Sequence, residues 1–451
     1  MGCALSKAKR MTASAAFRRT FAPRGPLLGR ARVPGDKSIS HRALMFSALA
    51  VGESRIEGLS DGGDVASTAA AMRAMGARIE PGADGAWTVA GVGVGSLLQP
   101  EAALDMGNSG TSTRLLMGLV ASHPIRATFI GDASLSRRPM NRVAVPLRRI
   151  GARIETSASG RLPAIVEGLY PALPQSHRLD VASAQIKSAL LLAGLNTPGI
   201  TEVIEPVPTR DHSERMLALF GAEIACDGAA IRIRGEAELK PQHVIVPGDP
   251  SAAAFLAVAA SIVPGSDVTI ADVGTNPRRT GLYDALKAMG ADIVFENARE
   301  LSGEPVADLR VRHAPLAGID LPPEAAADMI DEFPILFVAA AFARGTTRAH
   351  GLAELRVKES DRLAVMAEGL AAIGVRVEEK EDGLVIHGSG GEPLAGGAGI
   401  AARLDHRIAM SFAVAGLHAR AGITIDDMRP VETSFPGFET MLDSLLERVP
   451  A

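Results

Sequence analysis

The sequence predicts an α/β protein of two similar domains, each built from three small repeated units. Three observations carry this reading: a helix-stop device that recurs five times, a polar cluster that opens an apolar run six times, and one tetrapeptide that occurs twice.

The helix stop places large apolar residues at −4 and −1, then Gly, a small residue, any residue, and Ile or Val. Met72 and Met75 precede Gly76, Leu147 and Ile150 precede Gly151, and Leu217 and Phe220 precede Gly221. Leu286 and Met289 precede Gly290, and Leu370 and Ile373 precede Gly374. Such a Gly stops a helix in the left-handed cap conformation before a strand such as Ala77-Arg78-Ile79. Leu442 and Leu445 fill the same slots without the Gly, giving a sixth, truncated copy.

The polar clusters are Asp36-Lys37-Ser38, Asn108-Ser109-Gly110-Thr111, Ser183-Ala184-Gln185, Asp249-Pro250-Ser251, Asp331-Glu332 and Asp405-His406-Arg407. Each opens an Ala- and Leu-rich run expected to be a buried helix with a functional start. A short β-like segment lies between the two helices of each copy, at 54–56, 127–129, 202–204, 268–270, 346–348 and 423–425. The clusters recur at roughly 70 residues, too long a period for a solenoid of single hairpins. Each copy therefore reads helix, strand, helix, strand and usually another strand.

The identical tetrapeptides Val33-Pro34-Gly35-Asp36 and Val246-Pro247-Gly248-Asp249 split the six copies into two sets of three. The expected domains are 35–245, and 26–34 joined with 246–451. If the N-terminal strand pairs with the second set, the domains are discontinuous and the active site falls in the cleft between them. A chain of 451 residues exceeds one ordinary core.

Composition is 47% hydrophobic, 22% charged and 4% aromatic, with a net charge of −4, which argues against a nucleic-acid partner and leaves any basic cluster to serve a small anion. Cys3 and Cys226 are the two cysteines, so a disulfide framework and a Cys-based zinc site are excluded, and Cys226, just beyond Ile224, is expected in the core. Apolar stretches such as 335–343 are too short to span a bilayer. Eight Lys and Arg precede the first acid, Asp36, and Met1-Gly2-Cys3 fits an acylation pattern. A disordered tail over residues 1–25, or a start at Met11, is the preferred reading of that segment.

The chemistry gathers at the helix starts. Lys37, Ser38 and Arg42 combine donors with a helix dipole that favours an anion. Asn108 to Thr111 places small residues and exposed amides at another start, followed by Arg114, and Gly110 leaves room for a ligand. Arg137-Arg138 and Thr209-Arg210 put guanidinium forks in strand-to-helix loops, where they can grip phosphate or carboxylate. Lys358 to Arg362 is the corresponding loop of the fifth copy, and His406-Arg407 opens the sixth helix. A ring of Lys37, Arg42, Arg138, Arg210, Lys358, Arg362 and Arg407 implies substrates with at least two anionic groups. Asp331 and Glu359 are the acids available within it for proton transfer, where cationic neighbours lower a pKa and desolvation raises it.

These motifs, VPGDKSISHR (33–42), DMGNSGTSTR (105–114), GDASLSRRPM (131–140), ASAQIKSALLL (182–192), LRVKESDR (355–362) and LDHRIAM (404–410), closely resemble the 3-phosphoshikimate 1-carboxyvinyltransferase (EPSP synthase) family, in the style of its divergent bacterial, glyphosate-tolerant class. The resemblance covers nearly everything after residue 30. It implies two domains of three βαβαββ units each, an inside-out α/β barrel fold, closing over an interdomain cleft.

The implied reaction moves the enolpyruvyl group of phosphoenolpyruvate to the 5-hydroxyl of shikimate 3-phosphate and releases phosphate, in the shikimate pathway to chorismate and aromatic amino acids. No metal or organic cofactor is implied. A cytoplasmic monomer with no membrane partner is expected. Carried onto matching positions, Lys37, Ser38, Arg42, Ser183, Ala184, Gln185, Arg210, Asp331 and Lys358 contact shikimate 3-phosphate. Lys37, Gly110, Arg138, Gln185, Arg362, His406 and Arg407 contact phosphoenolpyruvate. Asp331, with Lys37 sharing the role, is the candidate for taking the hydroxyl proton, and Glu359 the candidate for protonating the methylene carbon, an assignment that can be exchanged with Asp331 in the elimination step.

Two departures bear on glyphosate as a competitive inhibitor. Thr433-Ser434-Phe435-Pro436 lacks the basic residue that many members carry before this Pro, and Gly110 lacks the methyl linked to tolerance while Leu115 replaces a Pro of the sensitive class. Moderate sensitivity is expected. Of the rivals, the sister transferase acting on UDP-N-acetylglucosamine typically carries a Cys in the loop matching 131–140, absent here, and a non-catalytic anion-binding scaffold needs no acids inside the ring.

Overall fold

The computed structural model describes residues 17–446. They divide into two compact units. One, the mid-chain unit, comprises Pro34–Pro247 with Glu300–Pro305; the other, the end unit, comprises the described residues up to Val33, Gly248–Arg299 and those from Val306 onward. Each has its own hydrophobic core.

In the mid-chain unit three four-stranded sheets share one plan. Leu104–Asp105, Arg126–Ile130, Ala164–Glu167 and Arg153–Thr156 lie side by side in that order, the first pair parallel and the others antiparallel. Ser176–Arg178, Ile200–Ile204, Ala230–Arg234 and Ile224–Asp227 repeat it. In the remaining sheet, Val51–Glu57, Trp87–Val92 and Arg78–Pro81 take their parallel edge strand from His243–Ile245, near the far end of the unit's sequence. The helices Lys37–Leu49, Gly110–Ala121 and Ala184–Leu195 are buried along almost their whole length. Two of them touch at Gly118, where a Cβ would come within 2.1 Å of the Ala189 carbonyl oxygen. Only the absence of a side chain permits that approach.

The end unit follows the same plan twice. Leu28–Ala31 is the parallel edge of a sheet continued by Asp267–Gly274, Glu304–Arg312 and Asp292–Leu301, and Asp320–Leu321, Thr346–Ala349, Gly383–His387 and Arg376–Lys380 form the next. The sixth copy departs. Gly399–Ile400 pairs parallel with Ile423–Ile425, whose other edge is taken antiparallel by Arg19–Phe21, and Leu394–Gly396 pairs separately with Ala419–Ala421. The truncated copy thus borrows its missing neighbour from near the start of the chain. This corrects the expectation of a disordered tail over 1–25: residues 1–16 lie outside the described residues, as do the acylation and start-site readings, but Arg19–Phe21 is a strand with Phe21 packed on the core. Every residue of the helices Pro250–Ile262 and Phe333–Phe342 is buried, as are nine residues of His406–Gly416.

Gly76, Gly151, Gly221, Gly290 and Gly374 have φ of +106°, +108°, +89°, +98° and +91°, the left-handed stop that the repeat calls for. Each shared tetrapeptide ends in a helix cap: Asp36 Oδ1 accepts from Ile39 N at 2.9 Å, and Asp249 Oδ1 from Ser251 N at 2.8 Å. Cys226 is exposed rather than in the core, because Ile224–Asp227 is an edge strand and Cys226 sits beside its hairpin turn. Among the described residues no helix is long and apolar enough to cross a membrane.

Candidate active site

The three buried helices of the mid-chain unit are tied together at their N-terminal ends, with neutral groups as the acceptors. Arg42, 3% exposed, donates from Nε to Ser213 Oγ, from Nη1 to the Ser38 carbonyl and from Nη2 to Ser188 Oγ, at 2.7, 2.8 and 2.7 Å. These bonds join the first helix to the third. Arg114 Nη1 donates to Gln185 Oε1 at 2.5 Å while Gln185 Nε2 donates to Thr111 Oγ1 at 3.0 Å, joining the second to the third. His41 Nδ1 meets Thr68 Oγ1 at 2.7 Å, and Thr68 Oγ1 meets Ser112 Oγ at 2.6 Å, joining the first to the second. Ser109 and Ser183 cap their helices, leaving Ala184 as the first helical residue.

Cations gather around these ends. Lys37 Nζ pairs with Asp64 Oδ2 at 3.2 Å. A Cβ on Gly110 would lie 3.0 Å from Arg114 Nη1 and 3.2 Å from Arg138 Nη1, so Gly110 and Arg138 of the expected donor set meet beside Arg114. Arg138 Nη2 donates to Asn108 Oδ1 at 2.7 Å. Burial pulls the Arg42 pKa down to about 10 against Glu214, Asp36 and Glu304, and the like charge of Arg210 adds to the fall. Burial likewise holds the His41 pKa near about 3, so that ring is neutral.

Sequence reasoning missed the layer beneath. Lys187, 1% exposed, pairs with Glu205 at 2.9 Å and Glu214 at 2.6 Å, and Glu205 accepts from both the hydroxyl and the N–H of Thr209, next to Arg210. Burial raises the Glu214 pKa despite Lys187. Ser188 and Ser213 were equally unforeseen. The one available signal was position, a hydroxyl within a turn of Gln185 and another three residues after Arg210.

In the end unit the equivalent helix starts are joined by charged groups. Arg362, 1% exposed, donates from Nε to Asp405 Oδ2 at 2.8 Å and from Nη2 to Glu359 Oε2 at 2.7 Å, with Asp331 Oδ1 3.4 Å from Nη1. Burial alone would depress its pKa, but Asp405, Glu359 and Asp331 hold it above the ordinary value. Lys358 Nζ reaches the same Asp331 Oδ1 at 3.2 Å. Arg407 Nη1 donates to the Asp331 carbonyl at 2.8 Å and to Glu332 Oε1 at 3.2 Å, and Ser251 Oγ donates to Glu332 Oε1 at 2.5 Å. Asp405 also caps its helix, accepting from Arg407 N at 3.0 Å, and His406 lies half-buried in the first turn.

The predicted residues thus fall into two sets. Lys37, Ser38, Arg42, Gly110, Arg138, Ser183, Ala184, Gln185 and Arg210 belong to the mid-chain unit, and Asp331, Lys358, Glu359, Arg362, His406 and Arg407 to the end unit. Among the described residues no group of three or more His, Cys, Asp or Glu is placed to hold a metal ion. What the arrangement offers chemically is anion binding beside carboxylates that can exchange protons.

Comparison with known proteins agrees with this chemistry. The family model of EPSP synthase (3-phosphoshikimate 1-carboxyvinyltransferase) matches residues 21–442. A 3-phosphoshikimate 1-carboxyvinyltransferase of Sphingopyxis alaskensis is 67% identical, with 96% of this chain and 100% of the relative covered. One from Zymomonas mobilis is 66% identical, covering 93% and 94%. The EPSP synthase of Acinetobacter baumannii superposes with a TM-score of 0.87 at 45% identity, covering 95% of this chain and 98% of that one. The enolpyruvyl transferase NikO of Streptomyces tendae shares the fold, with a TM-score of 0.76 at 19% identity over 95% and 97% of the two chains. The chain therefore belongs to the EPSP synthase, or 3-phosphoshikimate 1-carboxyvinyltransferase, family.

Proposed function

We propose that the protein transfers the enolpyruvyl group of phosphoenolpyruvate to the 5-hydroxyl of shikimate 3-phosphate. The observation that carries this reading is the end-unit cluster, where Asp331 and Glu359 are both held by Arg362 beside Lys358 and Arg407. Asp331 and Glu359 thereby stand as proton-transfer groups beside the cations that hold anionic substrates.

The 5-hydroxyl oxygen bonds to C2 of phosphoenolpyruvate as its proton passes to Asp331, with Lys37 sharing the role, and Glu359 protonates the methylene carbon. The tetrahedral product then loses a methyl proton to the Glu359 carboxylate, or to Asp331 where the two acids exchange roles, and releases phosphate with the proton left on the other acid, restoring the double bond. Lys37, Ser38, Arg42, Ser183, Ala184, Gln185, Arg210, Asp331 and Lys358 bind the acceptor, while Lys37, Gly110, Arg138, Gln185, Arg362, His406 and Arg407 bind the donor. Positioning two anions against mutual repulsion supplies much of the rate. We further propose a monomer that works in the cytoplasm and is moderately sensitive to glyphosate, since Gly110 carries no methyl to crowd the inhibitor. An inhibition constant far above the KM for phosphoenolpyruvate overturns the last point.

Phosphate release from phosphoenolpyruvate tests the assignment. Release is expected with shikimate 3-phosphate and not with UDP-N-acetylglucosamine or without an acceptor. Release only with the nucleotide sugar assigns the sister reaction, and release with neither refutes both.

A further inference from the structure

A guanidinium grips a carboxylate or phosphate best through two parallel N–H bonds along one edge, such as that formed by Nε and Nη2. In Arg42 that edge is spent on Ser213 and Ser188. In Arg362 it is spent on Asp405, from Nε at 2.8 Å and Nη2 at 3.4 Å. Arg407 differs. Both of its side-chain bonds leave from Nη1, to the Asp331 carbonyl and to Glu332 Oε1, and among the described residues Nε and Nη2 have no protein partner.

Two acceptors from consecutive residues therefore pin one nitrogen and keep the opposite edge available. Glu332 is itself fixed. It is 2% exposed, accepts from Ser251 Oγ at 2.5 Å, and Ser251 Oγ in turn accepts from Arg279 Nη2 at 2.8 Å. Its other oxygen, Oε2, is buried without a hydrogen-bond partner, so the carboxylate spends both contacts through Oε1. A buried carboxylate left half-satisfied is costly, and a helix start as apolar as that of Phe333–Phe342 gains nothing from it as a cap, since the Glu332 side chain makes no capping bond.

We propose that Glu332 is a positioning residue that turns the Nε–Nη2 edge of Arg407 toward the anionic donor substrate, with Ser251 and Arg279 holding Glu332 in place. The inference rests on the assignment of Arg407 to phosphoenolpyruvate. Glu332 touches no reacting atom; it acts through Arg407, so its loss weakens capture of the donor and spares the acceptor.

The test is steady-state phosphate release by the full chain, with each substrate varied in turn, for the wild type, Glu332→Ala, Glu332→Gln and Ser251→Ala. Loss of one charge-assisted bond predicts a rise of about tenfold in the KM for phosphoenolpyruvate in Glu332→Ala. The KM for shikimate 3-phosphate should stay within about twofold. Glu332→Gln keeps an acceptor at the same place and should recover most of the loss. A parallel rise in both KM values, or a Gln variant as impaired as Ala, overturns the proposal. Should Glu332→Ala fail to fold, Ser251→Ala decides, with a rise of about threefold expected for phosphoenolpyruvate alone and equal or absent effects refuting it. A wild type that releases no phosphate refutes the proposed reaction instead, so the two failures are distinguishable.

Discussion

The helix starts of the mid-chain unit are joined by Arg42 and Arg114 donating to hydroxyl, carbonyl and amide oxygens and by a neutral imidazole, and those of the end unit by guanidiniums donating to carboxylates. The backbone plan is shared, so the difference lies in the side chains set on equivalent positions. Neutral acceptors add no negative charge of their own beside Arg42 and Arg114, which suits the capture of a phosphate. Charged ties place Asp331 and Glu359 within reach of cations, which suits proton transfer. A repeated scaffold can thus weight binding and acid–base work differently in its two units by varying one turn per copy.

The largest way to break the division is Asp331→Asn, which keeps the shape and removes the base. We expect kcat to fall on the order of 10²–10⁴-fold with little change in the KM for phosphoenolpyruvate. A rise in KM with kcat unchanged would place Asp331 with the binding groups instead.

The buried base of the mid-chain cluster gives the next effect. Lys187→Met leaves Glu205 and Glu214 without their cation, and breaking such a buried group costs about 3–5 kcal/mol, to be read by urea unfolding. An unchanged midpoint would mean that Lys187 is not a structural partner of these acids.

Acid sharpens the contrast further, because His41, His123, His177 and His212 are the buried histidines among the described residues and all lie in the mid-chain unit. His41 keeps a pKa of about 3 when folded against 6.5 ordinarily, so below pH 6.5 the unfolded chain takes up a proton that the folded chain refuses. Its contribution is fully present above that pH and is lost as pH falls toward 3, reaching about 2 kcal/mol at pH 5. Hydrogen exchange at pH 7.5 and 5 should show the helices Lys37–Leu49 and Gly110–Ala121 losing protection before Phe333–Phe342, and His41→Gln should shrink the difference.

Gly110→Ala is the smallest. Its methyl meets the far ends of Arg114 and Arg138, which can yield, so stability should change by less than about 1 kcal/mol and the KM for phosphoenolpyruvate should rise by about threefold. No change in KM would separate Gly110 from the donor region.

Much of this was legible in the chain. The five glycine stops and the capping residues Asp36, Ser109, Ser183, Asp249 and Asp405 act locally, within one turn of helix, so their spacing reveals them. What stayed hidden depends on partners distant in sequence. Ser213 becomes part of the site only because Arg42 reaches it, and Glu332 only because Arg407 and Ser251 share one of its oxygens. Arg19–Phe21 resembled a basic tail because a three-residue strand has no periodicity to read, and its partner lies 404 positions away at Thr424. The exposure of Cys226 depended on its being at a sheet edge, which alternation along one strand does not report.

The borrowed strands also order biosynthesis. Arg19–Phe21 and Leu28–Ala31 leave the ribosome early, yet their sheet partners Ile423–Ile425 and Asp267–Gly274 are translated much later. The segment Pro34–Pro247 holds all three of its own sheets, so it can mature while the nascent chain is still growing. The first strands made thus wait for partners synthesised later, and Arg19–Phe21 waits until nearly the whole chain has emerged.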